Sequence, residues 1–153
     1  MGTIDVEQLD MRALSPEDFA RLVKDASKAD LAEVMSGGHR AQVLEAVFAR
    51  MSEQFRPDKA PSRPSAVLWQ VEGRPDGGVD EYELMIEDGT CTVASPPRHE
   101  PRVTVALDGV DFLKLVSGNA SATTMFFTRR IRLQGDLGLG AGLTDMFDIP
   151  KAG

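Results

Sequence analysis

One cysteine, one tryptophan, one tyrosine and two histidines stand in a chain of 153 residues, and each scarcity argues against a class of protein. A lone cysteine, Cys91, cannot form an internal disulfide, so nothing points to an oxidising compartment. Cys91 shares a strand face with Val93 and reads as an inert buried thiol rather than a nucleophile. His39 falls at a helix start and His99 in a loop, with no ligand spacing around either. Neither a metal site nor a Ser-His-Asp or Cys-His centre is therefore expected, and no cofactor. No apolar run approaches the roughly 18 residues of a membrane span, so no integral membrane segment is expected. MGTIDVEQLD has no basic n-region or apolar h-region, Val6 stands where a myristoylation site has Ser or Thr, and Lys151-Ala152-Gly153 is not a peroxisomal address. A cytoplasmic location is the resulting expectation. Basic residues are also outnumbered, 17 Lys and Arg against 24 Asp and Glu, for a net charge of −7. That balance argues against nucleic acid and against strong attraction to an anionic membrane surface. Arg129, Arg130 and Arg132 form the one basic cluster, read as a solvated edge or face.

Hydrophobic residues make up 42% of the chain, and their spacing predicts helices first. Ser15-Pro16-Glu17-Asp18 is a helix start, with a capping hydroxyl, a first-turn proline and acids at the positive end of the dipole. Ser27 and Asp30 suggest a second start, and Gly37-Gly38 a stop. The clearest helix runs from about His39 to Phe55, with Leu44, Val47, Phe48, Met51 and Phe55 at three- and four-residue spacing. Strands follow at Ala66–Glu72, with Val67, Trp69 and Val71 on one face, and at Val79–Glu87. There Tyr82, Leu84 and Ile86 oppose Glu81, Glu83 and Glu87, whose face reads as solvated. Asp88-Gly89 is a hairpin signal into a third strand. A fourth carries Val103, Val105 and Leu107. Helical spacing returns over Asp108–Ser117 and Asn119–Phe127, then a fifth strand around Ile131 and Leu133, and a last helix closed by Pro150. One-sided strands do not make a buried parallel sheet, which would read as continuous apolar runs. The expected fold is two-layer α+β, a five-stranded mostly antiparallel sheet with helices covering one face.

Gly135, Gly138, Gly140 and Gly142 after the fifth strand invite a phosphate-binding reading. A dinucleotide fingerprint requires a crossover to a second parallel strand and an acid some twenty residues on, and a Walker loop requires Lys-Ser or Lys-Thr. None of these follows, so the glycines are read as allowing a helix to lie close to neighbouring backbone. What stands out instead is apolar surplus. Phe112, Leu113, Leu115, Val116, Met125, Phe126, Phe127, Leu137, Leu139, Leu143, Met146 and Phe147 exceed what a core already filled by the long helix requires. They either complete that core or line a cavity.

The segments VLEAVFARMSEQFRPDKA, YELMIEDGTCTV, PRVTVALDGVDFLKLVSGNAS and MFFTRRIRLQGDLGLGAGLTDMF, in this order, carry a resemblance from about Val43 to Pro150. The chain resembles the sterol carrier protein type 2 (sterol-transfer) family in its bacterial single-domain form. The resemblance implies a hydrophobic tunnel between sheet and helices that carries fatty acids, fatty acyl-CoAs, phospholipids or sterols without bond-making. Carried over by position, the implied ligand-binding residues are Phe48, Trp69, Leu84, Ile86, Val105, Phe112, Leu115, Met125, Phe126, Leu133, Leu143 and Phe147. The chain departs from the family at Arg129-Arg130, where Gly-Lys is frequent. Residues 1–38 are expected to be an N-terminal helical extension and residues 39–153 the lipid-binding domain, within one compact unit.

The functional expectation is a non-catalytic carrier of an apolar ligand, with lipid as partner and no metal. The alternative is an accessory module that presents a hydrophobic intermediate to a biosynthetic enzyme, with the N-terminal helices as contact for that enzyme or for a homodimer. An enzyme reading has only the strand carboxylates and Tyr82 behind it.

Overall fold

Hydroxyl or carboxylate caps at Ser27, Asp108, Ser121 and Asp136 mark four helix starts in the computed structural model, which describes residues 16–37, 40–74, 76–95 and 97–147. Ser15, Gly38, His39 and Pro150, assigned helix boundaries from the sequence, lie outside those residues. Helix α1 spans Pro16–Asp25 with Glu17 and Asp18 in its first turn. Ser27 caps α2 (Lys28–Ser36): its Oγ accepts from the Asp30 amide while the Asp30 carboxylate accepts from the Ser27 amide, a reciprocal capping box. Helix α3 runs Arg40–Glu53, ending short of the expected Phe55. There the backbone turns extended and Phe55 pairs instead with Phe147.

The strands are β1 (Ser65–Glu72), β2 (Asp80–Glu87), β3 (Thr90–Ala94), β4 (Val103–Asp108) and β5 (Ile131–Gly135), in the order β3-β2-β1-β4-β5. Of the four neighbouring pairs, three are antiparallel and one, the central strand β1 with β4, is parallel, so the sheet is mixed. Asp88 and Gly89 both take positive φ, 51° and 75°, the geometry that a two-residue hairpin turn requires. After β4 come α4 (Gly109–Val116), capped by Asp108, and α5 (Ala122–Phe127), capped by Ser121. Helix α6 covers only Leu137–Ala141, and Leu143–Met146 forms a separate 3-10 turn. The single last helix expected from the sequence is thus two short pieces. Gly142 stands at the break, ending α6 and preceding the 3-10 turn, and glycine disfavours helix by about 1 kcal/mol.

The core lies between the sheet and α3 with α4, and α1 and α2 belong to it. Phe19, Val23, Leu31, Val34 and Met35 are buried in the same cluster as Phe48 and Leu84. A buried arginine ties these parts together. Arg40, only 5% exposed, donates to the Met35, Val71 and Glu72 carbonyls and pairs with Asp80 at 2.7 Å. That planar fork thereby joins α3 to acceptors on three other elements, α2, β1 and β2, a use to which lysine is unsuited.

The other sheet face corrects one expectation. Glu83, read as solvated, is 1% exposed. The chain crossing from β3 to β4 folds over it, and Glu83 accepts from the amides of Arg98 and His99 and bonds His99 Nδ1 at 2.9 Å. Burial alone would raise its pKa. The hydrogen bonds from the His99 side chain and backbone and from the Arg98 amide outweigh it, holding the carboxyl below the usual range.

Candidate functional site

Strand register lays a row of side chains across the helix-covered face. Tyr82 on β2 opposes Trp69 on β1, Trp69 is level with Val105 on β4, and Val105 opposes Leu133 on β5. Helices fill the space above this row unequally. At the Tyr82 end, Phe48 of α3 stacks on Tyr82 at 4.4 Å and on Phe112 of α4 at 4.9 Å, with Trp69 edge-on at 6.1 Å. At the Leu133 end the cover is α5, α6 and the last 3-10 turn. There a cavity of about 370 Å³ remains, lined by Trp69, Val105, Leu115, Ala122, Thr123, Phe126, Phe127, Ile131, Leu133, Leu137, Gly140, Leu143 and Thr144. Phe127 and Leu137 on this wall are 78% and 53% exposed, so the cavity meets solvent between α5 and α6.

Two glycines set the lid geometry. Gly135 has φ of 99°, and a Cβ there would sit 2.4 Å from the Arg102 carbonyl oxygen. At Gly140 a Cβ would lie 3.0 Å from Leu133 Cδ1 and 3.3 Å from Val103 Cγ2, so α6 rests directly on β4 and β5. Asp136 caps α6 by accepting from the Leu139 amide and pairs with Arg102 at 2.8 Å. The Leu139 amide first, and Arg102 next, hold its carboxyl below the usual range.

Six residues carried over from the family are brought together on this wall: Trp69, Val105, Leu115, Phe126, Leu133 and Leu143. The others lie elsewhere. Phe48 and Phe112 form the aromatic cluster behind Trp69. Leu84 and Ile86 are buried on β2, away from the β5 end, and Met125 faces the core. The Phe147 ring lies 5.9 Å from Phe55. The wall also includes residues outside that set, among them Ile131 and Phe127. Ile131 could have been found from the sequence, being two residues from Leu133 on one strand face; Phe127 is adjacent to Phe126 on a helix too short for a clear period.

Chemically the cavity is plain. Among the described residues its wall has no carboxylate, histidine or cysteine, and no group of three or more His, Cys, Asp or Glu is placed to hold a metal ion. The Glu83–His99 pair is on the opposite face of the sheet. Tyr82 is clamped under Phe48, and burial, then the Glu45 and Asp80 carboxylates, push its phenol up. Burial pushes the Cys91 thiol up to about 12, as suits an inert thiol. Of the basic cluster, Arg130 pairs with Asp111 and Arg132 with Glu72. Arg129 takes a left-handed backbone, φ 63°, at the position where the family often has glycine, which adopts that conformation without strain.

A family model described as the SCP-2 sterol transfer family matches residues 64–148, more than half of the chain. The chain belongs to that family. Helices α1 to α3 precede the matched region, which begins at β1 and ends just past the last 3-10 turn. Several solved structures share the fold. Sterol carrier protein 2 like 2 from Aedes aegypti has a TM-score of 0.55 at 16% identity, over 70% of this chain and 98% of that one; its palmitated form gives 0.54. The ubiquinone synthesis protein UbiJ-SCP2 has a TM-score of 0.54 at 12% identity, over 70% of this chain and 94% of that one. The sec-alkylsulfatase Pisa1 from Pseudomonas sp. reaches 0.60 at 18% identity over 74% of this chain. This chain spans only 17% of that enzyme, so the likeness concerns one part of a much larger protein. Among curated proteins no sequence matches. Among the described residues no helix is long and apolar enough to cross a membrane.

Proposed function

We propose that this protein is a non-catalytic carrier that binds a lipid in the cavity between α5, α6 and the β4–β5 end of the sheet and transfers it in the cytoplasm. The observation behind this reading is a cavity of about 370 Å³ whose wall is mainly apolar and, among the described residues, free of carboxylate, histidine, lysine, arginine and cysteine. Its size lies near the lower end of small-molecule sites, roughly 300–1,000 Å³. Each buried methylene contributes about 0.8 kcal/mol, so a sixteen-carbon chain fully removed from water gains at most ~12 kcal/mol. Lost ligand freedom reduces that substantially, leaving micromolar affinity attainable without a charged contact. The palmitated Aedes aegypti protein, similar in fold, is in keeping with an acyl ligand.

The test is displacement of a fluorescent fatty acid by oleate, with Leu143→Arg as the variant. Leu143 is buried on the cavity wall, and a guanidinium there would have to be desolvated or fill the space. Binding by the native protein and none by a folded Leu143→Arg variant is expected. Failure to bind any acyl chain or sterol up to its solubility would refute the carrier reading.

A second reading, presentation of a hydrophobic intermediate to a biosynthetic enzyme, draws on the fold likeness to the ubiquinone synthesis protein and on α1 and α2, which contribute nothing to the cavity wall. A stoichiometric enzyme recovered with the protein, together with a cavity that takes no free lipid, would favour it.

A further inference from the structure

The single tryptophan carries an unmet demand. Trp69 is 1% exposed and stands on the cavity wall, yet its indole Nε1 has no hydrogen-bond partner among the described residues. Phe112 and Phe48 pack against the ring at 5.6 and 6.1 Å, and neither side chain offers an acceptor oxygen. A buried N–H left unpaired costs more than its hydrogen bond would return, and buried indoles ordinarily find a partner. Phenylalanine would supply an apolar wall without that cost. The other polar side chains on the described wall, Thr123 and Thr144, belong to the lid rather than to the sheet, where Trp69 occupies the central strand.

We propose that Trp69 Nε1 donates a hydrogen bond to a neutral acceptor oxygen at the buried end of the ligand. The class this selects is a lipid with a carbonyl, ester, ether or hydroxyl oxygen at that end. A carboxylate is disfavoured, because no cation lines the described wall and a buried unpaired charge is costly. The inference rests on the carrier reading above and sharpens it from an apolar ligand to an oxygen-tipped one.

The experiment pairs tetradecan-2-one with its isostere 2-methyltetradec-1-ene, in which a methylidene group replaces the carbonyl oxygen. Affinities of both come from displacement of the fluorescent fatty acid, in the native protein and in Trp69→Phe. In this double-mutant cycle the cost of desolvating the ketone cancels. The ketone-to-alkene affinity ratio is expected to fall about three- to ten-fold on Trp69→Phe, the worth of one neutral hydrogen bond. Independently, the one indole N–H proton resonance of the native protein should shift downfield with the ketone and not with the alkene. That measurement decides the matter if Trp69→Phe does not fold. An unchanged ratio, or the same resonance position with both probes, would overturn the inference while leaving the carrier reading intact. Displacement by neither probe, nor by oleate, would overturn both.

Discussion

Ala122→Phe should close the cavity without unfolding the protein. Ala122 is the first residue of α5, follows the Ser121 cap, and contributes its methyl group to the cavity wall. The substitution leaves the cap in place: Ser121 Oγ accepts from the Thr124 amide, not from residue 122. Phenylalanine costs about 0.5 kcal/mol in helix propensity relative to alanine, and the space of about 370 Å³ receives the ring. Stability should therefore change by less than about 1 kcal/mol, readable in a urea titration. Ligand affinity should change far more. About six added ring carbons occupy the place of some four to six methylenes, a loss of ~3–5 kcal/mol at 0.8 kcal/mol each. A flexible chain that retreats towards solvent recovers part of this, so a loss of at least tenfold in Kd is expected for a sixteen-carbon acid. Thr92→Phe, at an exposed position on β3 outside the cavity, should leave the affinity alone. A folded Ala122→Phe protein with unchanged Kd would refute the assignment of this cavity as the binding site.

Three further outcomes follow from the fold. Arg40→Met should destabilise by about 2–5 kcal/mol, chiefly because the Met35, Val71 and Glu72 carbonyls lose a donor, while Asp80, 29% exposed, keeps Arg74 at 3.5 Å; urea unfolding reads the loss. Gly135→Ala should cost more than Gly77→Ala. Both glycines have positive φ, but a Cβ meets the Arg102 carbonyl at 2.4 Å at the first and nothing within 4 Å at the second. Glu83 gives a pH dependence. Its folded pKa lies below its ordinary value, so its contribution is present above that ordinary value, about 4.3, and is lost as pH falls through the folded pKa. Acid unfolding followed by circular dichroism should show a shallower stability loss below about pH 4.5 in Glu83→Gln, measured against its own neutral-pH stability.

Element order was legible because each element buries one face, and alternation or three-to-four spacing reports that face directly. Trp69, Val105 and Leu133 each lie on an inward strand face in the sequence pattern. Only the pairing register, with β1 parallel to β4, puts them in one row, and pairing across the chain is not written in local periodicity. Glu83 was misread for a related reason. Alternation assigned it correctly to the face opposite Leu84, but whether that face is wet depends on where the β3–β4 connection folds, which no local pattern records. Arg40 shows the same limit, since its acceptors lie on α2, β1 and β2. The glycines after β5 were legible as packing residues because a phosphate loop needs a context this sequence lacks. That Gly142 also divides the last helix in two is a matter of its helix propensity, a signal present but outweighed by the leucines around it.

The unequal covering of the sheet explains why a cavity persists at one end and not the other. Helix α3 has 14 residues and brings Phe48 down onto Tyr82 and Trp69, while α5 and α6 have six and five residues. Helices that short are far below the ~12–15 residues at which an isolated helix becomes even marginal in water, so tertiary ties must hold them. The ties are specific: Arg102 to Asp136 at the start of α6, Arg130 to Asp111 after α5, and the Arg56 amide to the Met146 carbonyl at 2.7 Å. The last of these, with the Phe55–Phe147 contact, runs from just past α3 to the end of the segment that carries Leu143 and Thr144. The filled half of the molecule thereby positions the wall of the empty half. Met125, Leu139, Leu143 and Met146 anchor these short pieces in the core, while Phe126, Phe127 and Leu137 stay exposed, so the wall is fixed at its base and open at its rim.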